Sequence, residues 1–136
     1  MGAKIKGAGS SQIEIEGVKQ LKDVSYNIMS DRIEAGTFLC IAAMNHSNII
    51  VKNIDEDHII PIIDKLEEAG CELQIEDRQI QIKAPKKLKS VNIKTMPYPG
   101  FPTDMQSIFA TMLTIAKGTS IIVENIFENR YKYTQE

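Results

Sequence analysis

The apolar positions form short alternating runs and helical stripes that follow one another in regular order. Gln12 to Glu16 alternates, with Ile13 and Ile15 on one face, and predicts a strand. Ser25 to Ile28 is a second, short strand candidate. Ser30 or Asp31 then stands as a cap before a helix predicted to run to about Met44. The second half of that helix, Phe38 to Met44, is apolar almost all round, which predicts burial between other elements. Asn48 to Lys52 is rich in β-branched residues and predicts a strand. Ile59, Ile62, Ile63, Leu66 and Ala69 next mark one helical face. Pro61 requires this helix to begin near Asp57 or His58, so that the ring falls in the first turn, and Gly70 closes it. Glu72 to Glu76 and Gln79 to Lys83 read as the arms of a hairpin turning at Asp77-Arg78. Val91 to Thr95 predicts a further strand, Thr103 to Lys117 a helix ended by Gly118, and Thr119 to Glu124 the next strand. Phe38, Ile41, Ile59, Ile63 and Leu66 are the expected core of the first part. Met105, Ile108, Phe109, Met112, Ile115 and Ala116 are the expected core of the second.

The order repeats. Ile49-Ile50-Val51-Lys52-Asn53-Ile54 returns as Ile121-Ile122-Val123-Glu124-Asn125-Ile126, 72 positions later and identical at five of six places. Asp31 and Asp104, which open the two helical patterns, lie 73 apart. Gln12 to Val24 also matches Gln79 to Val91 at an offset of 67, with seven residues in common. The repeating unit is βαβαββ, present once complete and twice in part, which predicts an α/β chain with α+β packing of sheet and helix layers. A repeat interrupted at both ends implies a piece of something longer.

Composition narrows the function classes. With 136 residues, 43% hydrophobic and 25% charged, the chain is long enough to bury a core and is not of disordered type. A net charge of -2 argues against a general nucleic-acid or anionic-membrane binder. No apolar run approaches the ~18–20 residues that span a bilayer, and Met1 to Gly7 does not read as a secretory signal, so a cytoplasmic location is expected. Cys40 and Cys71 stand in apolar helical contexts without CxxC spacing, and His46 and His58 have no neighbouring ligands, so no metal site and no cofactor is expected. Lys83, Lys86, Lys87 and Lys89 read as a solvated loop.

Two helix starts carry the charged groups of interest. Asp31, Arg32 and Glu34 form a charged helix start, in which Asp31 and Glu34 fit a cap with its partner. Thr103-Asp104-Met105-Gln106 fits a capping box, with Thr103 as the cap and Gln106 as the reciprocal partner. By position alone Asp104 is a favourable charge at a helix amino-terminus, and Arg130 is a solvated side chain.

Asp31-Arg32-Ile33-Glu34-Ala35-Gly36-Thr37-Phe38, Pro97-Tyr98-Pro99-Gly100-Phe101-Pro102-Thr103-Asp104-Met105-Gln106 and Phe127-Glu128-Asn129-Arg130 together resemble bacterial UDP-N-acetylglucosamine 1-carboxyvinyltransferase, in the same order and over essentially the whole chain. The resemblance implies an enolpyruvyl transferase fold of six βαβαββ units in two domains. Residues 1–28 would be the tail of the first domain and the crossover, and residues 29–136 a partial second domain. It implies transfer of the enolpyruvyl group of phosphoenolpyruvate to the 3′-hydroxyl of UDP-N-acetylglucosamine, a step of peptidoglycan synthesis, with the site in the cleft between domains. Matched position by position, Asp104 is the residue that contacts the sugar hydroxyl and serves as its base, Arg130 binds phosphoenolpyruvate, and Ile126 contacts the sugar nucleotide. The family's amino-terminal Lys-Asn pair and mobile loop with a catalytic Cys or Asp have no counterpart here, and neither Cys40 nor Cys71 takes that role. The 136 residues alone are therefore expected to be inactive, with open edges that favour self-association. The competing readings are a non-catalytic truncated paralogue acting as a binding module and the shikimate-pathway transferase of the same fold.

Overall fold

In the computed structural model, which describes residues 1–135, the first long element begins where a capping carboxylate stands. Asp31 accepts from the N–H of Ile33 at 2.8 Å and of Glu34 at 3.2 Å, and α1 (Arg32–Met44) follows. After β3 (Asn48–Lys52) comes a 3₁₀ turn, Glu56–His58, and then α2 (Ile60–Glu68), with Pro61 in its first turn as the ring requires. Gly70, at φ +99°, ends α2 in the left-handed conformation, and the N–H groups of Gly70 and Cys71 close on the carbonyls of Glu67 and Leu66. The hairpin β4 (Glu72–Glu76) and β5 (Gln79–Lys83) has the predicted bounds. Asp77 and Arg78 both adopt positive φ, as a tight two-residue turn demands.

These strands form an antiparallel sheet in the order β3-β5-β4. Ile49 and Leu73 flank Ile82, and Val51 and Ile75 flank Ile80, so one face is apolar and packs on the helices except at its edge, where Ile75 stays exposed. The opposite face carries Asn48, Gln81, Lys83 and Glu72 and is solvated, with a Lys83–Glu72 ion pair at 2.9 Å. Ile59, Ile62, Leu66, Ile80 and Ile82 are wholly buried between the layers. The second repeat is shorter: β6 (Ile93–Lys94), a 3₁₀ turn at Thr103–Met105, α3 (Gln106–Leu113) and β7 (Ile122–Val123), with β6 and β7 parallel. Met105 joins the repeats: a Cβ on Gly36 of α1 would lie 2.8 Å from its terminal carbon, and Phe109 and Met112 continue the same core.

Several expectations are corrected. Phe38 and Ile41 are 49% and 47% exposed, because α1 uses only one side against the sheet, α2 and α3, and no element among the described residues covers the other. Ile115 is likewise exposed, since α3 stops at Leu113 and the chain turns to Gly118. Ser25 to Ile28 is no strand: residues 1–29 are exposed throughout, and extended propensity makes no ladder without a partner. The first strand shortens to β2 (Glu14–Glu16), paired with an unforeseen β1 (Lys4–Lys6) through Ile5 opposite Ile15. The capping box at Thr103 is absent. Pro102 precedes a 3₁₀ turn that has no side-chain cap, and Gln106 is fully buried with both amide atoms unpartnered.

Candidate functional site

The segment that carries Asp104 is held from both sides. Phe101 sets its ring edge-on to Phe109 at 5.0 Å, anchoring the proline-rich loop on α3. The loop closes on itself through Met96 N–H to Phe101 O at 2.9 Å and Gly100 N–H to Pro97 O at 2.8 Å. Gly100 is needed there, because a Cβ would stand 2.5 Å from that of Met96. The 3₁₀ turn leaves Asp104 mostly exposed rather than folded back onto its own amides.

Asp104 and Arg130, 26 positions apart, meet. Arg130 Nη2 donates to Asp104 Oδ1 at 2.8 Å, and the guanidinium also lies 5.1 Å from the centre of the Phe127 ring. The pair is solvent-accessible, so it adds little to stability and a ligand can compete for either member. A carboxylate here can accept a hydroxyl proton, and the guanidinium offers a planar fork for a carboxylate or phosphate. Ile126 stands in the same loop, half-buried, beside an open concavity of about 590 Å³ that Glu124, Phe127 and Tyr131 also line. Arg32 is elsewhere: its guanidinium sits 5.0 Å from the centre of the Tyr98 ring, at a hollow beside the start of α1 that Asp104, Ile126 and Arg130 do not line.

The residue that joins these pieces is one that sequence reasoning missed. Glu124 accepts from Thr95 Oγ1 at 2.9 Å, Thr103 Oγ1 at 2.9 Å, Ile126 N–H at 2.8 Å and Phe127 N–H at 3.2 Å. Burial pushes its carboxyl pKa up, but those four hydrogen bonds outweigh it and hold the group below its ordinary value. The signal was present in the repeat, for position 124 is the single mismatch in the repeated hexapeptide, with Lys52 as its counterpart. The thiols take no part. Burial, with a smaller effect from Cys71, pushes Cys40 far up, and burial pushes Cys71 up to about 11, so neither is a nucleophile.

The fold is that of an enolpyruvyl transferase. The EPSP synthase (3-phosphoshikimate 1-carboxyvinyltransferase) family matches residues 1–136, and the chain belongs to that family. Within it, the chain is 50% identical over 136 residues to UDP-N-acetylglucosamine 1-carboxyvinyltransferase 1 of Caldanaerobacter subterraneus subsp. tengcongensis, covering all of this chain and 33% of that protein. It is 47% identical over 137 residues to the UDP-N-acetylglucosamine 1-carboxyvinyltransferase of Desulfofundulus thermocisternus, covering 56% of it. The chain thus spans about a third of the length of most of the curated relatives it matches. Among solved structures, the enolpyruvyl transferase NikO from Streptomyces tendae superposes with a TM-score of 0.80 at 22% identity, over 98% of this chain and 33% of that one, a likeness of fold. No helix among the described residues is long and apolar enough to cross a membrane.

Proposed function

We propose that these residues form part of an enzyme that transfers enolpyruvyl from phosphoenolpyruvate to the 3′-hydroxyl of UDP-N-acetylglucosamine, in the synthesis of peptidoglycan in the cytoplasm. Residues 29–136 supply part of its second domain, and residues 1–28 the crossover from the first. The observation that carries this reading is the meeting of Asp104 and Arg130 at 2.8 Å in a chain about half identical to proteins of that name. Asp104 takes the hydroxyl proton as the sugar oxygen attacks the vinyl carbon; the methylene carbon takes up a proton, and the same carbon then loses a proton as phosphate leaves and the double bond re-forms. Arg130 leaves the ion pair to bind phosphoenolpyruvate, which frees the Asp104 carboxylate at the moment both substrates are present. Ile126 contacts the sugar nucleotide from the same loop.

By itself the chain is silent, because a cleft site requires groups from two domains. Its exposed strands and apolar residues favour self-association. The test replaces the matching third of the Caldanaerobacter relative with these 136 residues and measures phosphate release from the two substrates. Turnover close to that of the parent supports the reading. A folded chimera that binds substrate without releasing phosphate makes the chain a binding module instead.

A further inference from the structure

We infer that Glu124 is the positioning residue that sets the Asp104 turn and the Arg130 loop in one fixed geometry; this rests on the function proposed above. Its carboxylate lies where three segments converge. Thr95, wholly buried at the end of β6, donates to Oε1. Thr103, next to Asp104, donates to Oε2. The amides of Ile126 and Phe127 donate to Oε1 and start the loop that leads to Arg130. Thr95 reinforces the same loop, since its hydroxyl accepts from the Asn125 N–H at 2.9 Å and its carbonyl from the Asn125 side chain at 3.2 Å. The far end of the loop returns to the same residue. Tyr131 accepts from the Glu124 N–H at 2.8 Å through its hydroxyl, which donates in turn to Ile122 O at 3.0 Å. The loop from 125 to 131 is therefore tied at both ends to position 124, and the turn before α3 is tied to it by Thr103.

The first repeat has no such hub. The equivalent place in the first repeat holds Lys52, exposed at the end of β3, and that strand pairs over its full length with β5. What Glu124 adds is directed at residues 103, 126 and 127, which adjoin the candidate site. A carboxylate suits the task because a single group accepts four donors at once, and fixed geometry between proton acceptor and anion binder lowers the entropic cost of reaction.

The test compares Thr103→Val, Glu124→Gln and Glu124→Ala in the chimera described above. Thr103→Val cuts only the link to the Asp104 turn. It is expected to lower kcat about tenfold with KM for phosphoenolpyruvate unchanged, because misplacement by about 1 Å can cost as much as 10²-fold. Glu124→Ala frees both sides and is expected to lower kcat and raise that KM together. Glu124→Gln keeps length and one acceptor oxygen and restores most of the loss. Combining Thr103→Val with Glu124→Ala adds nothing to Glu124→Ala alone. A residue with a merely structural role would lower melting temperature without this split. Values for Thr103→Val and Glu124→Ala within twofold of the parent chimera overturn the inference.

An inactive parent chimera overturns the proposed function instead. The inference is then decided on the 136-residue chain by NMR. The amides of Ile126 and Phe127 are expected to shift with one common acid titration that Glu124→Gln abolishes; amides indifferent to that substitution overturn the inference.

Discussion

The two repeats place an aspartate before the same helix and an Asn-Ile pair after the same strand, yet they use them differently. In the first, Asp31 folds back and caps α1 with two amide bonds. In the second, the 3₁₀ turn after Pro102 leaves Asp104 uncapping and paired with Arg130. The exposed Lys52 of the first becomes Glu124 in the second, which gathers two hydroxyls and two amides. The first repeat closes its sheet with a hairpin and buries most of the apolar core, whereas the second has a two-stranded parallel sheet and most of the site's polar contacts. The two repeats share a near-identical hexapeptide at the strand end, and the one substituted position in it, with a shifted helix start, separates a capping aspartate from one paired with an arginine.

The comparison can be broken most strongly at the core of the first repeat. Leu66 is wholly buried, so Leu66→Ala is expected to cost roughly 2–5 kcal/mol in chemical denaturation. A change near zero would remove the distinction between a packed first repeat and a sparser second one. Next comes the contrast between the aspartates. Asp104→Ala in the chimera should lower turnover by about 10²-fold or more, the range for losing a general base. Asp104→Asn should do nearly the same, because the structure gives the side chain no cap to preserve. Asp31→Ala should instead cost about 1 kcal/mol of stability with turnover unchanged. Equal kinetic effects at the two positions would merge them.

Exchanging the strand-end residues sharpens the contrast further. Glu124→Lys should destabilise the second repeat by roughly 1–3 kcal/mol, since the Thr95 hydroxyl and the loop amides lose their acceptor. Lys52→Glu should change stability by no more than about 0.5 kcal/mol, as for an ordinary surface position. Thermal melts of the two variants read both values.

The smallest effect is on pH dependence. Glu124's pKa is lowered in the folded chain from an ordinary 4.5, so its stabilising contribution is present above that value and is lost as pH falls through the lowered one. Melting temperature should therefore drop on the acid side, and Glu124→Gln should flatten part of that drop. An identical acid profile in the Gln variant would detach the carboxylate's charge from stability.

The sequence by itself determined the repeat, the bounds of β3, β4 and β5, the capping role of Asp31 and the place of Pro61 in the first turn of α2, because each rests on local rules of period, turn and cap; the helix expected from Asp57 or His58 begins only at Ile60, after a 3₁₀ turn. It also pointed, through resemblance, to Asp104, Ile126 and Arg130. Tertiary structure alone decided the rest. Phe38 and Ile41 are apolar enough for a core, but burial depends on what faces them. Thr103 and Gln106 have the composition of a capping box, but the Thr103 hydroxyl lies within reach of Glu124, and Gln106 is drawn into the interior. The ion pair and the bonds of Glu124 to Thr95 and Thr103 join residues 21 to 29 positions apart, and a hydrogen bond of 3 Å is set by packing that no local pattern records.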